Sequence, residues 1–142
     1  MIAVCAEAAR AMAEVTDQTL EYLKSRKQFG HPLAEFQVLQ HRLVDMSINV
    51  EETRATAHTA LQAIDDAPTN AHEAVWQAKV QTARSAHFLG AQAVQLHGGM
   101  GMTNDLAVGH YYKRLSVCES QFGDAHWYLA RLSELAQAAH NS

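Results

Sequence analysis

FQVLQHRLVDMSINVEETRATAHTALQAIDD, residues 36–66, decides the fold. Within it Phe36, Leu43, Val50, Ala57 and Ile64 recur every seven residues, with Leu39, Met46, Thr53 and Ala60 interleaved as a companion row. Residues spaced by seven, and by three or four, share a face only on a helix, so the stretch predicts a long bundle helix. It ends at DDAPTN, residues 65–70, where Pro68 cannot continue a helix and Asn70 with Glu73 predicts a capping box for the next one.

Upstream, Ile2, Ala6, Ala9, Ala13, Leu20 and Leu23 predict one face of a helix running to Arg26, broken by Gly30 and Pro32. Downstream, a third helix reaches about Leu96. Its apolar residues fall on two faces, Trp76, Val80 and Ala83 on one and Val75, Ala78, Leu89 and Leu96 on the other, which predicts burial on both sides, part of it against another subunit. Asp105 to about Cys118 reads as a shorter helix, and Asp124 caps a last one whose inner face is Tyr128, Leu132, Leu135 and Ala139. No alternating run is long enough for a strand. The expected fold is all-α: residues 1–142 form a single up-down bundle of four to five helices.

A chain of 142 residues buries about 70% of the surface its unfolded form exposes, enough for a core without staples. Cys5 and Cys118 match no metal or redox spacing and read as reduced thiols of a cytoplasmic protein. The apolar opening MIAVCAEAARAM carries Glu7 and Arg10 and no basic leader, so it reads as helix and not as a signal peptide. No apolar run approaches the roughly 18–20 residues of a membrane span. A net charge of -4 offers nucleic acid no basic field. None of the nine histidines lies three residues after a glutamate, as bundle-core metal sites need, and no metal site is expected.

QLHGGMGMTNDLAVGHYYKR, residues 95–114, sets three glycines within four positions, at 98, 99 and 101. It follows a helix, and Asn104 stands where a dinucleotide fingerprint has its third glycine, so it is not that motif. Two readings remain: a helix C-cap, or bare backbone N–H groups before a new helix, suited to phosphate or nucleotide oxygens. RKQFG, residues 26–30, sets an arginine and an aromatic ring ahead of a glycine. Alone it is ordinary capping chemistry, and only with the glycine turn does it suggest a nucleotide.

Together, SRKQFGHPLAEFQVLQHRLVDM (25–46) and QLHGGMGMTNDLAVGHYYKR closely resemble the paired signatures of the C-terminal helical domain of FAD-dependent acyl-CoA dehydrogenases. The resemblance covers nearly the whole chain. It implies oxidation of an acyl-CoA thioester to its 2,3-enoyl product, with acyl-CoA bound by the complete enzyme, and a bundle that assembles as a homo- or hetero-oligomer, dimer or tetramer. It further implies that Arg26 pairs with the FAD diphosphate, that Gln28 and Phe29 border the cofactor, that Phe36 and Gln37 touch it, and that Gln95, Leu96, His97, Gly98 and Gly99 lie along the adenosine. The family's helical and β domains that precede this one are not among these residues, which alone are not expected to hold a complete active site.

One position departs from the family. Its usual base is a glutamate immediately before a glycine in the loop leading to the last helix, and in CESQFGDAH, residues 118–126, that position is Phe122. A phenyl ring accepts no proton, and general-base catalysis is worth about 10²- to 10⁴-fold. Three explanations stand: a base on a segment before Met1, substitution by Glu119 or Asp124, or a heteromer whose other subunit supplies the base. VGHYYKRL with FGDAHWYLARL is similar to small subunits of two-component, pimeloyl-CoA dehydrogenase-like enzymes, which favours the heteromer. The rival is a non-catalytic assembly subunit. In either case obligate self-association is expected.

Overall fold

The computed structural model describes residues 1–67, 69, 71–98 and 107–141. They form five helices: α1 (Ile2–Ser25), α2 (Gln37–Asp66), α3 (His72–His97), α4 (Ala107–Ser120) and α5 (Ala125–His140). Between α1 and α2 lie a short ladder, β1 (Lys27–Gln28) antiparallel to β2 (His31–Pro32), and a 3-10 turn, Leu33–Glu35. A two-residue ladder is too short for any sequence period to disclose, so the expectation of no strand missed it.

The long middle helices run antiparallel, as cross-links along their length show. Arg42 Nη1 donates to Gln92 Oε1 at 3.2 Å, Ser85 Oγ to Asn49 Oδ1 at 3.1 Å, and Gln81 Nε2 to Glu52 Oε2 at 2.9 Å. The heptad reading holds, because Met46, Val50, Thr53, Ala57 and Ala60 are the buried residues of α2. α3 is central and packs against α1, α2, α4 and α5, which is why it is apolar on two sides. Its inner faces are covered within the chain itself.

In α1 the expected face is rotated. The buried residues are Cys5, Ala8, Ala9, Ala11, Met12, Val15, Thr16, Thr19 and Leu23, whereas Ala6 is exposed and Ile2, Ala13 and Leu20 are half-buried. Met12 and Val15 bring more apolar area to the core than the alanines chosen from the pattern. The threonines can accompany them because each hydroxyl bonds within its own helix, Thr16 to the Met12 carbonyl at 2.9 Å and Thr19 to the Val15 carbonyl at 2.7 Å. A hydroxyl satisfied locally no longer opposes burial.

At the other boundaries, α3 begins behind Ala71 at the N-cap, and Glu73 accepts from Gln77 Nε2 at 3.1 Å. Pro68 and Asn70 of the expected capping box, and Asp105 at the expected start of α4, lie outside the described residues. Asp124 caps α5 as expected, its Oδ1 accepting from the Trp127 N–H at 2.9 Å. Tyr128 is buried beneath α5, but Leu132 and Leu135 are only half-buried and Ala139 is exposed, since α5 rests chiefly on α3.

Candidate functional site

The two segments singled out by sequence meet at one end of the bundle. α1 closes with Arg26, whose N–H bonds the Tyr22 carbonyl at 2.9 Å and whose own carbonyl accepts from Leu33 N–H at 2.8 Å, folding the hairpin back over the helix end. At the hairpin tip Phe29 and Gly30 have φ of 54° and 84°. A two-residue connection twisted to match its strands needs positive φ at both central positions, which glycine adopts freely and phenylalanine does not. The chain thus holds Phe29 in a costly conformation with its side chain 90% exposed. Phe36, the residue before α2, meets it edge to face with ring centroids 6.5 Å apart.

Tyr22 ties this hairpin to the end of α3. Its ring stacks on His97 at 4.4 Å, and its hydroxyl donates to the His97 carbonyl at 3.4 Å. The His97 Nδ1 faces the Ala93 carbonyl at 2.9 Å and so must donate to it. Tyr22 was missed in the sequence, although its place one helical turn before Arg26 is the available signal.

At the close of α3, Gln95 is exposed, Leu96 and His97 are buried, and Gly98 is the exposed C-cap with φ 60° and ψ −146°. The side chains of Leu96 and His97 therefore face the core, and a ligand along this edge would meet the Gln95 side chain and main chain. Gly99 lies outside the described residues. A Cβ placed on Gly98 would meet nothing within 4 Å, so the space beside this backbone is open, but its dihedrals belong to a region nearly reserved for glycine. Gly98→Ala is expected to destabilise the protein by about 1–3 kcal/mol, read as a lowered urea midpoint, for conformational reasons alone.

Arg26, Lys27, Gln28 and Gln37 are all exposed. No carboxylate among the described residues pairs with Arg26. Glu35, close by in sequence, is engaged by His31 Nδ1 at 3.0 Å. This end of the bundle thus presents a free guanidinium, two rings, amide side chains and an uncovered stretch of main chain. Those groups fit a flat heterocycle carrying phosphates. No group of three or more His, Cys, Asp or Glu among the described residues could hold a metal, and no described helix is long and apolar enough to cross a membrane.

The opposite end holds the α4–α5 corner. Asp124 is committed to capping α5, and Glu119 Oε2 lies 3.8 Å from His87 Nδ1. Phe122 projects at 59% exposure with φ 67°. Beside the corner, Lys79 of α3 is fully buried, and its Nζ donates to the Cys118 carbonyl at 2.6 Å and the Glu119 carbonyl at 2.9 Å. Burial pushes the Lys79 ammonium below its ordinary pKa, against weaker opposing pulls from Cys5, Cys118 and Glu119. On the flank, Arg114 makes a two-pronged pair with Glu7, at 2.6 and 2.7 Å, beside a groove of about 500 Å³ between α1 and α4.

Fold and site together define a helical domain that offers a cation, rings and bare backbone at one end and a tightly held corner at the other. The model of the acyl-CoA dehydrogenase C-terminal domain matches residues 2–132. Acyl-CoA dehydrogenase IpdE2 of Mycobacterium tuberculosis is 36% identical over 113 residues, covering 80% of this chain and 34% of that protein. Among solved structures, the ChsE4-ChsE5 complex from Mycobacterium tuberculosis aligns with a TM-score of 0.88 at 29% identity, covering 95% of this chain and 37% of that one. The Tcur3481-Tcur3483 steroid ACAD aligns with a TM-score of 0.94 at 30% identity, covering 99% of this chain and 39% of that one. The chain belongs to the acyl-CoA dehydrogenase family, as its C-terminal domain, and spans 34 to 39% of the length of these relatives.

Proposed function

We propose that this chain is the cofactor-holding and assembly-forming part of a cytoplasmic flavoprotein that oxidises an acyl-CoA thioester to the 2,3-enoyl thioester. The observation that carries this reading is the convergence of the Arg26 hairpin and the Gly98 turn, locked by Tyr22 on His97. Arg26 would hold the FAD diphosphate, Phe29 and Phe36 would border the cofactor with Gln28 and Gln37, and Gln95, the main chain of Leu96 and His97, Gly98 and Gly99 would follow the adenosine. When bound, FAD supplies the hydride acceptor.

The chain's own part is to bind and orient that group, because its corner provides no base. Phe122 takes no proton, Asp124 is spent as a cap, and Glu119 lies beside a histidine. We infer that a second, different subunit supplies the base, in keeping with the two-component character of the ChsE4-ChsE5 and Tcur3481-Tcur3483 relatives. Flavin bleaching by acyl-CoA thioesters in the full-length protein, with and without its partner subunit, tests this. Bleaching only with the partner present is expected. Bleaching by the protein alone would place the base within its own chain and overturn the heteromer.

A further inference from the structure

The two halves of the cofactor end come from distant parts of the chain, the Arg26 hairpin from the close of α1 and the Gly98 turn from the close of α3. Among the described residues the hairpin makes no hydrogen bond to α3. Its bonds run within the ladder, from His31 to Glu35, and from the Leu33 N–H to the Arg26 carbonyl. A site built from two such pieces grips one ligand with both only if their separation is fixed, and binding groups have to be held to within about 0.5 Å.

One residue spans the gap. The Tyr22 carbonyl accepts the Arg26 N–H at 2.9 Å and the Ser25 hydroxyl at 3.0 Å, which roots the start of the hairpin on Tyr22. The ring of the same residue stacks on His97 with the planes 28° from parallel, and its hydroxyl donates at 3.4 Å to the His97 carbonyl. That carbonyl belongs to the peptide that joins His97 to Gly98, and the N–H of the same peptide donates to the Gln95 carbonyl, so the peptide is held on both edges. His97 is itself fixed by its Nδ1 bond to the Ala93 carbonyl.

Packing alone does not call for this pair. Tyr22 is half-buried against the core, where burial asks only for apolar surface, and only its ring and hydroxyl reach His97. His97 is a polar ring at 4% exposure, in a place that any apolar residue could fill. Arg42 on Gln92 also ties a neighbouring helix to α3, but it touches neither half of the site.

We propose that Tyr22, seated on His97, is a positioning residue that fixes the distance between the Arg26 guanidinium and the Gly98 main chain, so that the two grip the diphosphate and the adenosine of one FAD together. This rests on the flavin-holding reading above. It assigns Tyr22 no contact with the ligand, only an action through Arg26 and His97.

The test is titration with FAD of the flavin-stripped, full-length protein as parent, Tyr22→Leu, Arg26→Ala and the double variant. Tyr22→Leu is expected to weaken FAD binding by about tenfold. Arg26→Ala is expected to cost at least about threefold less in the Tyr22→Leu background than in the parent, because a displaced guanidinium has less to lose. Tyr22→Phe keeps the stack, gives up only the long hydrogen bond, and is expected to stay within about threefold of the parent. Gln92→Ala severs the Arg42 cross-link, controls for loosened packing, and is expected to bind FAD as the parent does. Should Tyr22→Leu not fold, His97→Leu repeats the cycle from the other side of the stack. Parental affinity in Tyr22→Leu, a loss that simply adds to that of Arg26→Ala, or an equal loss in Gln92→Ala overturns this inference alone. A parent that takes up no FAD overturns the flavin-holding reading and this inference with it.

Discussion

Lys79→Met will lower the unfolding free energy by about 2–5 kcal/mol, a large share of the 5–15 kcal/mol that holds a typical domain together. The methionine fills the same channel but donates nothing, so the carbonyls of Cys118 and Glu119 lose their shared partner. A buried acceptor left unpaired costs about 1–3 kcal/mol, and the bonds lost here are to a charged donor. Part of that loss is offset because the variant no longer buries an ammonium, the same cost that pushes the Lys79 pKa down. Urea unfolding read by circular dichroism measures the difference; a change under 0.5 kcal/mol would show that water satisfies the end of α4 equally well. The pH dependence has a defined sign. In the window between its lowered folded pKa and its ordinary 10.5, Lys79 is protonated more in the unfolded chain than in the folded one. Its contribution to stability therefore rises with pH across that alkaline window, and Lys79→Met removes the rise. Glu7 acts at the other limb: its hydrogen bond to Arg114 holds its carboxyl below the ordinary 4.5, so the stability it lends is present above that value and fades as pH falls through the folded one.

Why Lys79 escaped notice in the sequence shows where the sequence is legible. A period of seven survives in α2 because the helix meets the same two neighbours along its length, and every buried residue of α2 belongs to the two rows it marks. The face of α1 was misjudged because alanine is compatible with either side, while Thr16 and Thr19, polar by type, become core residues once their hydroxyls bond locally. A lysine between Ala78 and Val80 reads as a solvated side chain until its partner is known, and that partner is a helix end 39 residues away. Positive φ at Phe29 and Phe122 is equally silent, because each precedes a glycine that seems to account for the turn alone. The resemblance identified the family, and the pattern of α3 already set Leu96 on an inner face, but the burial of His97, its ring stacked on Tyr22, needed coordinates.

Arg26→Ala in the full-length protein is expected to weaken FAD binding by about 10- to 150-fold, the equivalent of one charge-assisted contact worth about 1.5–3 kcal/mol. The side chain is exposed and pairs with no carboxylate among the described residues, so its removal should leave the unfolding midpoint of the flavin-free protein within about 0.5 kcal/mol of the parent. That separation matters, because a variant that lost flavin by losing its fold would say nothing about the diphosphate. Arg26→Lys keeps the charge but not the planar fork, and its affinity should fall between the two. Raised ionic strength should narrow the gap between parent and Arg26→Ala, since an exposed cation near a diphosphate is screened over roughly 8 Å at physiological salt. The flavin-to-protein absorbance ratio after gel filtration, followed by titration of the stripped proteins with FAD, gives both quantities. Equal affinity in parent and Arg26→Ala would mean that the guanidinium at the end of α1 serves only to cap its helix, and the Gly98 turn would then have to hold the cofactor without it.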